Sequence, residues 1–210
     1  MRNAIGVMTL VTIGALVGSV ELFKLVPVPV SNTVIAEKSD KALGGGQAAM
    51  KVPDNLTSKQ HQLLNIAYRI GKEDGHPNPE VVQQILLQET LAGGLKSYRV
   101  ANEGPEAYFG PMQLKLAAAR DVLKKFPALF TKYEFHTKSD DEIKANLILN
   151  EDFNIEVGSK YLRILEVTYG FKGKRLLNAY NRGAGGVASV GDDYHYAIGA
   201  QQKFAQLSRN

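Results

Sequence analysis

Cysteine and tryptophan are both absent from this chain, and only four histidines occur among its 210 residues. The missing cysteine excludes disulfides, thiolate metal sites and cysteine nucleophiles, and leaves the redox compartment open. The histidines, His61, His76, His136 and His195, stand far apart and show none of the paired spacings that hold a transition metal. No metal and no cofactor is expected. A dense basic stripe is lacking as well: the formal charge of +4 and pI near 9.1 come from Lys and Arg interleaved with acids. With no zinc-finger spacing and no aromatic-rich RNA-binding motif, no nucleic-acid partner is expected. A polyanionic cell envelope suits the mild basicity. Sustained period-two alternation is missing too, which argues against a sheet.

One long apolar run is present. From Ala4 to Val20 every residue is apolar or small and uncharged, with Arg2 before it and Glu21 and Lys24 after it. Such a run approaches the about 20 residues that span a bilayer and exceeds the usual apolar region of a cleaved signal. Residues 1–30 are expected to be a signal or membrane anchor, with cleavage after Ala36 as the competing reading. A core helix would keep a polar stripe, which this run does not. Arg2 favours a cytoplasmic N-terminus, which would leave the remaining chain on the cell-wall side of the inner membrane, anchored there or secreted. Residues 31–55 read as a flexible linker: charges from Glu37 to Lys41, then Gly44-Gly45-Gly46, with no apolar period. The triple glycine lacks the Gly-Lys-Ser/Thr continuation of a phosphate loop.

Residues 56–210 form the expected folded domain, and its periodicity is helical. Ser58 is a candidate cap for a helix carrying Leu63, Leu64, Ala67 and Ile70 and ending near Gly71 and Gly75. Asn78-Pro79 opens the next, because proline at the first helical position loses no needed hydrogen bond. The stretch from Ala92 to Gly110 is glycine-rich and irregular, and helical character resumes at Pro111 and continues to Phe126. Ser139-Asp140-Asp141-Glu142 is a capping-box pattern for a helix through Leu149. Phe153, Val157, Tyr161, Ile164, Leu165 and Thr168 trace one face of a helix that ends at Gly170. A short helix over Lys174–Tyr180 and a last one capped by Asp192 or Asp193 complete an all-α domain of about six helices.

Glu89 ends the apolar run Ile85-Leu86-Leu87-Gln88-Glu89 and lies one turn beyond Ile85, so its carboxyl points toward packed surroundings. A glutamate at the ordinary pKa near 4.3 is protonated only about 0.2% of the time at pH 7. Raised to about 6 by burial, it would be protonated roughly 10% of the time, which makes a usable general acid. On spacing alone, a solvated helix-terminal glutamate is the commoner outcome.

Four blocks change that balance: Gln88-Glu89-Thr90; Gly110-Pro111-Met112-Gln113-Leu114; Asn154-Ile155 with Gly158 and Tyr161-Leu162; and Ala179-Tyr180-Asn181-Arg182-Gly183. In order and approximate spacing they resemble the catalytic domain of the soluble lytic transglycosylase family. The resemblance implies a lysozyme-like helical globule that cleaves the β-1,4 bond between N-acetylmuramic acid and N-acetylglucosamine in peptidoglycan, leaving a 1,6-anhydromuramoyl end. It implies Glu89 as the single acid and base, and Thr90, Met112, Gln113, Tyr180 and Asn181 as substrate-binding residues, with Tyr180 near the catalytic carboxyl. Glycan strands are the implied partner, and the biological setting is a secretion, conjugation or phage apparatus or wall turnover. The chain departs from the pattern at Ala92, where an aromatic is usual, at Thr90, Pro111 and Leu116, and across Tyr98 to Glu106. Glu103 or Glu106 holding a water would make a hydrolytic muramidase instead. A non-catalytic peptidoglycan-binding module is the alternative of a different class.

Overall fold

The computed structural model describes residues 55–95, 107–190, 193–207 and 209, with side chains 188–190 left out. The apolar segment, the linker, the loop with Glu103 and Glu106, and Asp192 lie outside the described residues. Most of the described residues are helical, in eight helices and one two-stranded pairing. The domain is all-α to that degree, and the small pairing corrects the expectation of no strand. No helix among the described residues is long and apolar enough to cross a membrane.

Helix α1, Ser58–Glu73, is capped by Thr57, one residue before the expected Ser58. The Thr57 hydroxyl accepts from the Gln60 backbone, and the Gln60 side chain accepts from the Thr57 backbone at 2.9 Å. This reciprocal pairing satisfies two of the helix's orphan N–H groups. Helix α2, Glu80–Thr90, follows Pro79 and buries Val81, Val82, Ile85, Leu86 and Leu87. Helical structure does not resume at Pro111. Tyr108–Phe109 (β1) pairs antiparallel with Leu114–Lys115 (β2), and α3 spans Leu116–Lys125. A short α4, Ala128–Lys132, starts after Pro127, and α5, Asp140–Leu149, starts from Ser139 as expected.

Helix α6, Glu151–Tyr169, is the spine, packed by α1, α2, α3, α5 and α7. From Phe153 to Ser159 it is buried all round, which is why its buried surface is wider than a single stripe. Gly170, at φ 69°, ends it in the left-handed conformation that glycine adopts without steric penalty. Helix α7, Gly173–Val190, runs well past the expected Tyr180 and breaks at Gly183 (φ 75°, ψ 165°). Helix α8, His195–Leu207, packs on α2 and α7.

Polar groups inside the spine are all engaged. Asn154 is fully buried; its Nδ2 donates to the carbonyls of Phe109 (2.9 Å) and Leu147 (3.0 Å), and its Oδ1 accepts from the Met112 N–H at 2.8 Å. One side chain thus ties α5, α6 and the β1–β2 turn together. Gly158 lets that turn sit close: a Cβ there would lie 2.8 Å from Met112 Cε and 3.1 Å from its Cγ. Gly158→Ala should therefore destabilise the domain by about 1–3 kcal/mol, because the buried methionine has to move. Urea denaturation checks this, and a midpoint equal to that of the unaltered protein would contradict it.

Candidate active site

Three elements converge where α2 ends. After Thr90 the chain turns through three successive residues of positive φ, Leu91 (51°), Ala92 (55°) and Gly93 (76°). Two are non-glycine, a conformation that costs about 1 kcal/mol or more per residue and persists only when the surroundings over-determine it. Here Gln60 Nε2 donates to the Leu91 carbonyl at 2.7 Å, and the Thr90 hydroxyl accepts from the Gly93 N–H at 2.9 Å. That hydroxyl also donates to the Pro111 carbonyl at 2.8 Å.

The turn Gly110 to Gln113 is the second element. Gly110 has φ 68°, and a Cβ there would lie 2.1 Å from the Leu147 carbonyl and 2.3 Å from Asn154 Nδ2. Three side chains from three helices hold this turn by its backbone: Thr90 from α2, Asn154 from α6, and Tyr180 from α7, whose hydroxyl donates to the Met112 carbonyl at 2.8 Å. Gln113 is left-handed at φ 48°, with Nε2 donating to the Gly110 carbonyl at 2.8 Å.

The third element is the start of α8. The Tyr196 hydroxyl donates to Glu89 Oε1. Gly199, one turn on, admits α8 closely enough that a Cβ would lie 3.1 Å from Gln88 Oε1, and Lys203 Nζ donates to the Gln88 carbonyl at 3.2 Å. The Glu89 carboxyl sits deep between these helices although the residue keeps some exposed surface. Burial pushes its pKa up to about 7, against the hydrogen bond from Tyr196 and the positive charge of Lys203, which both pull it down. Burial, and then the Glu89 charge, push the Tyr180 and Tyr196 phenols well above their usual value, so both remain hydrogen-bond donors. Burial pulls the Lys203 ammonium down.

A cleft of about 250 Å³ is lined among others by Tyr108, Gln113, Tyr161, Tyr180, Asn181 and Arg182; Glu89 does not line it, and Tyr180, which feels the Glu89 charge, links the two. Gln113, Tyr180 and Asn181 are thus brought onto one wall, with Tyr180 (7% exposed) reaching from that wall toward Glu89. Thr90 and Met112 are placed behind it, 1% and 0% exposed. This corrects the direct substrate contact expected of Thr90, whose hydroxyl is occupied on both sides; Met112 packs the turn against Gly158. The hydroxyl bonded to Glu89 is that of Tyr196, not Tyr180. Nothing in the local pattern His195-Tyr196-Ala197 signals that partnership, which joins residues 107 apart in sequence. Among the described residues no group of three His, Asp or Glu side chains could hold a metal ion.

No protein-family model, no curated protein and no solved structure matches the chain.

Chemically, the arrangement offers one carboxyl that is close to half protonated at pH 7, a phenol donor that fixes its orientation, and amide side chains on a neighbouring wall. Tyr196→Phe removes a hydrogen bond that favours the carboxylate, so the Glu89 pKa should rise and any activity that uses Glu89 should shift its pH profile to higher pH. The rate should fall about tenfold or more, as for loss of a hydrogen bond to a charged group. A profile left in place would show that Tyr196 does not act on Glu89.

Proposed function

We propose that this protein is a peptidoglycan lytic transglycosylase with a lysozyme-like catalytic domain, and that Glu89 is its acid and then its base. The observation that carries the proposal is the Glu89 carboxyl, raised to about 7 by burial, hydrogen-bonded by Tyr196, and linked through Tyr180 to a cleft walled by Gln113, Tyr180 and Asn181. The four sequence blocks support it, since their side chains meet at the turn Gly110 to Gln113.

In this mechanism protonated Glu89 gives its proton to the glycosidic oxygen as the bond to the muramoyl anomeric carbon breaks and that carbon gains oxocarbenium character. The acetamido group of the same sugar stabilises the positive charge. Glu89, now a carboxylate, takes the proton of the muramoyl C6 hydroxyl, whose oxygen closes onto the anomeric carbon as a 1,6-anhydro ring. The nucleophile is part of the substrate, so no water has to be positioned and no second carboxylate is required. A pKa near the working pH suits a group that must act in both forms. Tyr196 holds the carboxyl, and Gln113 and Asn181 offer amides to sugar hydroxyl and acetamido groups. The apolar segment from Ala4 to Val20 would hold the enzyme at the outer face of the inner membrane, in reach of the wall.

Purified sacculi provide the test. The full-length protein should release soluble muropeptides, whereas Glu89→Gln should bind sacculi equally well and release none. Release by the variant at the unaltered rate would defeat the assignment of Glu89, and binding without release by the unaltered protein would leave a binding module.

A further inference from the structure

We propose that a second binding site, taking the C-terminal residue of a peptide chain with a large apolar side chain, lies between α2, α6, α7 and α8. The site is a cavity of about 360 Å³ that shares no lining residue with the cleft walled by Gln113 and Tyr180. Its walls are Pro77, Val81, Val167, Phe171, Leu176 and Leu177, enough apolar surface to enclose a leucine- or phenylalanine-sized group.

Three features say what accompanies that group. Gln84 lines the cavity at 9% exposure, and no hydrogen bond joins its carboxamide to another described residue. Open to the cavity, that amide offers an acceptor and two donors that a ligand entering there can engage. A peptide group, with one N–H and one C=O, complements it, whereas an acyl chain or a plain hydrocarbon would leave it unpaired. Lys172 stands exposed at the rim, with no ion pair among the described residues. Beside it Gly173 opens α7, and the first N–H groups of a helix have no partner inside it and favour a negative group. The carboxylate of Glu166, also on the wall, is already held by His76 Nδ1 at 2.8 Å and Arg163 at 2.7 Å, so it does not compete for Lys172. Apolar pocket, free carboxamide, and cation beside a helix start together match an apolar side chain, its amide and its terminal carboxylate.

The experiment titrates the ¹⁵N-labelled full-length chain with N-acetylleucine, N-acetylleucinamide and N-acetylglycine, read by amide chemical shifts. N-acetylleucine should give saturable shifts at Val81, Leu177 and the Gln84 side-chain amide, and should bind roughly threefold more tightly than the uncharged leucinamide. N-acetylglycine should give none. Lys172→Gln, an exposed change, should shrink the carboxylate preference and leave leucinamide binding as it was. Gln84→Met should weaken both leucine probes alike; if that variant does not fold, Lys172→Gln and the probe series decide. Equal shifts from N-acetylglycine, absence of saturation, or a carboxylate preference that survives Lys172→Gln in full would overturn the proposal.

Discussion

Glu89→Gln should abolish glycan cleavage, by about 10³-fold or more, and should at the same time make the fold more stable above pH 7. The two effects have one cause. The buried carboxyl has its pKa raised from 4.5 to about 7, so the native state holds a proton that the unfolded state releases between those values. Its contribution is fully favourable below pH 4.5 and is lost as the pH rises to about 7, above which the native protein carries a buried carboxylate. Glutamine has the same shape and no charge, so at pH 8 the variant should be more stable by on the order of 2 kcal/mol, and at pH 4 the difference should vanish. Urea unfolding at both pH values, alongside sacculus digestion, reads both halves. A variant that loses activity and is equally destabilised at pH 4 and pH 8 would point to structural damage instead.

Asn154→Asp should be the most damaging single change away from the carboxyl. The buried amide donates to the carbonyls of Phe109 and Leu147 and accepts from the Met112 N–H. A carboxylate keeps the last bond and turns two attractive contacts into repulsion with no solvent to screen it. A loss of about 3–5 kcal/mol follows from unmaking buried hydrogen bonds and burying an unpaired charge. Because Asn154 also fixes the turn that Gln113 belongs to, cleavage should fall even where the fold survives. Part of the stability should return at acid pH, as protonation restores one donor. Denaturation midpoints at pH 4 and 7 check this, and a loss under about 1 kcal/mol at pH 7 would mean that the two carbonyls find other partners.

Much of the helical frame was legible because caps and periods are local. Ser139 before Asp140, Asn78-Pro79 before α2 and Gly170 after α6 are signals carried within a few residues, and they mark the observed ends closely. The same locality explains the errors. Pro111 resembles a helix start, yet Thr90, Asn154 and Tyr180 hold residues 110 to 113 as a turn, and these partners lie 21 to 68 residues away. Helix α4 is a single turn and a bit, too short to show a period. The helix expected to end at Tyr180 runs on to Gly183, where a non-helical backbone (φ 75°, ψ 165°) breaks it before helical structure resumes.

At the site, the sequence blocks point to Glu89, Gln113, Tyr180 and Asn181, and the structure puts the last three on one cleft wall with Tyr180 reaching toward the first. Thr90 and Met112 belong to the same blocks for a different reason: they build the wall from behind. Tyr196 was hidden because its role depends on α8 closing against α2 over Gly199, a contact that no local pattern encodes.

Digestion of sacculi in H₂¹⁸O, followed by mass spectrometry of the released muropeptides, tests the central claim most directly. An intramolecular closure predicts products one water lighter than hydrolysed fragments, with no ¹⁸O at the new muramoyl end. Reducing-end fragments carrying one ¹⁸O per cleavage would contradict it and assign the protein to hydrolysis.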